Sequence, residues 1–351
     1  MMSVHVLPEA GADGGVSLSD EIARGRAAAA FAVLAGVALA LAYGGCTPLQ
    51  GRAWAAAGGA LAVRCALVGG LGLTLAGVGS GLAVILVHYA LLFALAVPLL
   101  AMPAAALARL AVPLCLVTPV LSHLLRQQLP PMRGTSPYWT DLAVPGTLLQ
   151  ELFLTGYYPV LGWTTYVCAG LAVGRLDLSS RRVALGVLAT GGGLAAGSVL
   201  ASQWLVGLGQ AEGALPPDAD AVVVTGATPT ESWWWLALDS PHSTTPLDLA
   251  HTTSTALVVL GLLLLVPATA ERVLLPLAWA GSMTLSLYTL HAVALAYGWG
   301  PDSPEPRYVT HVLVALAFAA AWRARAPRGP LEQLVSEPSR AAAGLINART
   351  R

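Results

Sequence analysis

The sequence contains no lysine, so arginine is its only fixed cation, and charged residues of every kind make up 10% of its 351 positions. Hydrophobic residues account for 56% and the mean hydropathy is +0.70, a balance that excludes an ordinary water-soluble domain. Cysteine is scarce and scattered. Cys46, Cys65, Cys115 and Cys168 lie in or beside apolar stretches without metal-ligand spacing, which indicates neither a disulfide framework nor a zinc site, and no metal is expected. Strict apolar/polar alternation is missing, which excludes a β-barrel. A Gly-rich phosphate loop, a repeat of 20 to 50 residues and a cleavable signal peptide are not recognisable. No nucleic-acid partner is expected.

What is present is a series of apolar segments close to the ~20 residues a helix needs to cross a bilayer. They cover residues 25–44, 55–75, 82–102, 107–125, 157–176, 183–208, 250–266, 274–297 and 308–322. The expected fold is therefore all-α, a polytopic transmembrane bundle of about nine spans. Residues 1–8 are apolar and run straight into a polar segment, as the last turns of a truncated tenth helix would.

Arginine sets the orientation. Arg52, Arg64, Arg109, Arg175, Arg181, Arg182, Arg272, Arg323, Arg325, Arg328, Arg340, Arg349 and Arg351 fall on one side; Arg24, Arg26, Arg126, Arg133 and Arg307 fall on the other. The richer side reads as cytoplasmic, in a cell membrane, with the C-terminus inside. Residues 1–325 are expected to form the helical domain, with 209–249 an extracytoplasmic loop, and 326–351 a basic tail resting on the anionic inner leaflet. The loop carries Trp233, Trp234 and Trp235, which read as an interfacial anchor before they read as a lid.

All seven histidines, His5, His88, His123, His242, His251, His291 and His311, fall toward the outer face in this topology, and histidine exchanges protons near neutral pH. Thr284, Tyr288 and His291 are spaced by four and three residues and share one helical face. His291 is the first candidate for a general base with Tyr288 orienting it; an interhelical packing cluster is the bland alternative. His88 and His5 are expected at similar depth, so three histidines could converge on one outer cavity. His123, His251 and His311 read as interfacial, and His242 and Thr284 as substrate-side. Arg64, Arg175 and Asp177 flank span ends on the inner side, where they could hold the phosphates of a nucleotide-containing donor or simply set topology.

Five stretches together resemble the bacterial relatives of the heparan-α-glucosaminide N-acetyltransferase family, overlapping the YeiB-like membrane proteins: GRAAAAFAVLAGVALAL from Gly25, LFLTGYYPVLGWTTYVCAGLAVGRLDL from Leu152, PHSTTPLDL from Pro241, GSMTLSLYTLH from Gly281 and RGPLEQLV from Arg328. The resemblance implies a transmembrane acyltransferase that takes an acetyl group from cytoplasmic acetyl-CoA and passes it to an extracytoplasmic sugar or glycan acceptor. It matches His291 to a Tyr-x-x-His motif in a late helix and sets His5 at the outer end of the first. Two departures stand out: the chain lacks an Asp-x-x-Arg-Gly motif before its first helix, and no second histidine lies between His5 and Arg24. Two other classes fit the same composition, a transporter or flippase for a small or lipid-linked solute, and a noncatalytic membrane subunit. Homo-oligomerisation is left open.

Overall fold

The computed structural model describes residues 1–8, 17–130, 134, 136–219, 222 and 224–348. Arg133, Arg349 and Arg351, used above for orientation, lie outside the described residues. All regular structure among the described residues is helical. The helices are α1 (Met2–Val6), α2 (Leu18–Ala23), α3 (Arg26–Ala42), α4 (Gly51–Ala76), α5 (Leu86–Leu99), α6 (Ala104–Arg126), α7 (Pro145–Gln150), α8 (Val160–Gly174), α9 (Arg181–Ala211), α10 (Pro246–Leu264), α11 (Ala268–Gly281), α12 (Thr284–Ala296), α13 (Pro304–Arg323) and α14 (Pro330–Ala348).

Among the described residues five helices are long and apolar enough to cross a membrane: Glu21–Ala42, α4, α6, α9 and α10. A sixth results if α11 and α12, bent by 66° at their junction, count as one broken span. These are the helices of a membrane-spanning protein. The helices α5 and α8 are apolar but only 14 and 15 residues long, roughly 21–23 Å at 1.5 Å per residue against a hydrocarbon core of about 30 Å.

Small residues let the central helices touch backbone to backbone. A Cβ on Gly170 would sit 1.9 Å from the Val33 carbonyl oxygen, and one on Gly36 would sit 2.5 Å from that of Val167, so α3 and α8 approach as closely as main chains allow. Val33, Ala32, Ala40, Cys168 and Leu171 fill the seam and are inaccessible. The pair α9 and α10 repeats the device at Gly191, whose Cβ would lie 2.8 Å from the Ser254 carbonyl oxygen.

The connector between α9 and α10 is folded onto the bundle. Trp235, Leu238 and Ala219 are buried against Val206 of α9, and the Ser202 hydroxyl donates to the Ala237 carbonyl at 2.7 Å. Trp233 alone of the three tryptophans is mostly exposed, with its ring stacked on His123 at 4.5 Å. The C-terminal segment also differs from a tail lying on a leaflet. Its amphipathic helix α14 runs antiparallel along α4: Arg52 donates to the Asn347 carbonyl at 2.8 Å, Ile346 covers Gly59, and Val335 is buried with Val68 and Leu75.

Candidate functional site

The face of α3 that carries Ala28, Ala35, Ala38 and Ala42 is too small to fill the space in front of it. The result is a cavity of about 760 Å³, closed by side chains of α1, α4, α5, α11 and α12. Its wall follows α3 from Ala28 to Ala42, a run of about 21 Å at the helical rise. The lining is mainly apolar, and apart from Tyr89, whose hydroxyl faces the Ala28 carbonyl, its polar side chains fall into two sets.

Arg64 and Tyr43 mark one place. The sequence reading set Arg64 at a span end; instead it lies midway along the 26-residue α4, as its place inside the apolar segment 55–75 required. Its guanidinium stands over the Phe93 ring at 5.4 Å. Among the described residues it has no hydrogen bond or carboxylate partner, and its Nε is buried without one. An arginine at the centre of a spanning helix costs roughly 2.5–3.5 kcal/mol on insertion scales, and this one faces the cavity.

His5, Thr284, Tyr288 and His291 mark the other place. Three of these are the helical stripe of α12, which does face inward. His5 and His291 stack with centroids 5.4 Å apart and share a hydrogen bond of 3.2 Å between Nδ1 and Nε2. The remaining nitrogen of His291, Nδ1, meets Nδ1 of His311 at 2.9 Å, and His311 Nε2 lies 3.1 Å from the Trp299 carbonyl oxygen. Both nitrogens of His291 are thus taken by histidines, and Tyr288 does not orient it. His311, read as an exposed interfacial residue, is buried and is the residue in contact with His291 Nδ1.

The third expected member, His88, is elsewhere. It is buried edge-to-face on Tyr158 at 5.4 Å, beside Glu151 and Gly156 around a void of about 10 Å³. His242 also packs edge-to-face with the same tyrosine at 5.8 Å, with a positive φ of 63° in its turn, and does not line the large cavity. Burial, with Arg24 nearby, pushes the His242 imidazole down to about 4. His251 pairs with Asp239 at 3.1 Å.

Arg175 has a structural occupation. Its Nη1 donates to the carbonyls of Tyr43, Gly45 and Thr47 and its Nη2 to that of Leu100, at 2.7–3.1 Å, which knots the α3–α4 connection to the end of α5. Asp177 is exposed and accepts from the amide and hydroxyl of Ser179. Neither lines the large cavity. Asp248, which the sequence reading passed over, is buried at the start of α10 and accepts from the Thr244 amide at 2.9 Å; the Pro at N1 and Thr245 as N-cap were the legible signs of that helix start.

Among the described residues no group of three or more His, Cys, Asp or Glu is arranged to hold a metal; the three histidines point at one another along a line, not at a common centre. No protein-family model, curated protein or solved structure matches the chain.

Proposed function

We propose that the chain is an integral membrane acyltransferase of nine spans, set in the cell membrane with its C-terminus in the cytoplasm. It takes an acetyl group from cytoplasmic acetyl-CoA and transfers it to an amino or hydroxyl group of an extracytoplasmic sugar or glycan. The observation that carries this reading is that one elongated apolar cavity holds both an unpaired arginine and a hydrogen-bonded histidine pair. Arg64 would neutralise a phosphate of the donor, the alanine face of α3 would pack its uncharged arm, and a neutral imidazole would take the proton of the attacking amine or hydroxyl. The new bond forms from that nitrogen or oxygen to the acyl carbon, the thioester C–S bond breaks, and the imidazole returns its proton to the departing thiolate.

The test uses the full chain in lipid nanodiscs with acetyl-CoA carrying a labelled acetyl group and an amino sugar as acceptor. Transfer is expected, with loss by at least about 100-fold in His5→Ala and His291→Ala, in line with the contribution of a general base. Arg64→Leu should weaken donor binding about tenfold or more, equivalent to ~1.4 kcal/mol. A protein that neither binds acetyl-CoA nor is thermally protected by it would overturn the proposal. The break between α11 and α12 at the cavity favours a second reading, a transporter with a discontinuous helix at its binding site; acceptor-independent uptake of an anionic solute into proteoliposomes would support that one instead.

A further inference from the structure

The histidine line has a fixed end, and that end dictates where every proton sits. The Trp299 carbonyl oxygen can only accept, so His311 Nε2, 3.1 Å away, carries the proton of that ring. A neutral imidazole has one N–H. His311 Nδ1 is therefore a lone pair, and His291 Nδ1, 2.9 Å from it, must be the donor. His291 Nε2 is in turn a lone pair, which obliges His5 Nδ1, 3.2 Å from it, to donate. The remaining nitrogen, His5 Nε2, is left as an unprotonated acceptor on a side chain that lines the cavity.

We propose that the Trp299 carbonyl, acting through His311 and His291, holds His5 in the Nδ1–H tautomer and makes its Nε2 the proton acceptor of the cavity. His5 is the catalytic residue of the set; His291 and His311 are positioning residues. The arrangement also favours the charged state that follows. When His5 Nε2 takes a proton, its Nδ1–H bond to the His291 lone pair becomes charge-assisted and roughly twice as strong as a neutral one. The proton moves from the acceptor's N–H or O–H to Nε2 and nothing is oxidised or reduced. What donates that proton rests on the acyltransferase reading; the tautomers do not.

The experiment is nitrogen NMR on the full chain labelled with 15N-histidine, in nanodiscs at a pH of about 8, above the ordinary histidine range. His5 and His291 are expected as Nδ1–H and His311 as Nε2–H. In His311→Leu the anchor is gone, and His291 and His5 should return to the Nε2–H form that histidine prefers in water. In His311→Gln the amide nitrogen can still donate to the Trp299 carbonyl and the amide oxygen can accept from His291, so the native tautomers should persist. His291 found as Nε2–H in the unaltered protein, or tautomers that are unmoved by His311→Leu, would overturn the proposal. In the transfer assay His311→Leu should lower kcat at least about tenfold with the donor KM little changed, and His311→Gln should recover most of it; equal losses in both would also overturn it. Native tautomers without any acetyl transfer would support the relay while removing the acyltransferase reading.

Discussion

Two arginines end in opposite chemical states because of what stands within reach of each. Arg175 meets four main-chain carbonyls where the chain turns between α3 and α4 and where α5 ends, so its charge is solvated by backbone. Arg64 meets an aromatic ring and empty volume. A sequence shows both simply as cations near apolar runs. The depth of Arg64 follows from its place midway along α4, and the commitment of Arg175 only from a turn 130 residues earlier in the chain. Histidine gives a further residue-scale consequence. The folded state holds the His242 imidazole neutral down to about 4, below its ordinary value of about 6.5, so the unfolded chain binds more protons between those two values. Its contribution to stability is complete above about pH 6.5 and is lost as the pH falls toward 4. Melting temperatures in detergent should therefore drop across that window, and His242→Gln should flatten the drop. The stripe of Thr284, Tyr288 and His291 was legible from spacing alone. Its true partner was not, since the pairing with His311 depends on how the chain turns between α12 and α13.

At the scale of elements, glycine content looks uniform along the chain but its roles are unequal. Gly170 and Gly186 are both helical glycines, yet a Cβ on Gly170 would strike the α3 main chain at 1.9 Å while one on Gly186 would meet nothing within 4 Å. Helix propensity alone favours alanine over glycine by up to ~1 kcal/mol. Gly186→Ala should thus be neutral or slightly stabilising, and Gly170→Ala should destabilise by an amount at or above the ~1–3 kcal/mol usual for overpacking. Thermal unfolding followed by loss of monodispersity in detergent would separate the two. Hydropathy located the helices well, because burial in lipid or against other apolar helices imposes the same composition. It could not rank them by length: α5 and α8 read as full spans, but their ends are set by Pro98 and the turns beyond it, and by Pro159 and Gly156 before α8.

For the whole molecule, the cysteines offer a native set of topology probes. Cys46 is exposed between α3 and α4, Cys65 and Cys115 are partly covered and Cys168 is buried. With the proposed orientation, a membrane-impermeant maleimide should leave intact cells unlabelled and modify Cys46 in inverted vesicles, with Cys46→Ser abolishing the signal. Labelling from outside would reverse the orientation. That the connector between α9 and α10 and the C-terminal segment are integral parts of the body was not legible from composition, which marks them only as less apolar; their contacts with α9 and α4 are matters of side-chain fit.

The C-terminal helix also reaches the start of α12, the helix that carries His291. Glu332 accepts from the Leu285 and Ser286 amides and from the Ser286 hydroxyl, so the last helix supplies the carboxylate that satisfies the open amides at the start of α12, five residues before His291. A chain that stops short of Glu332 would keep every residue of the cavity wall and still lose the carboxylate that holds the first turn of the helix carrying His291. Trimming back past Glu332 for that reason reaches the helix that carries His291, though it removes no residue of the cavity.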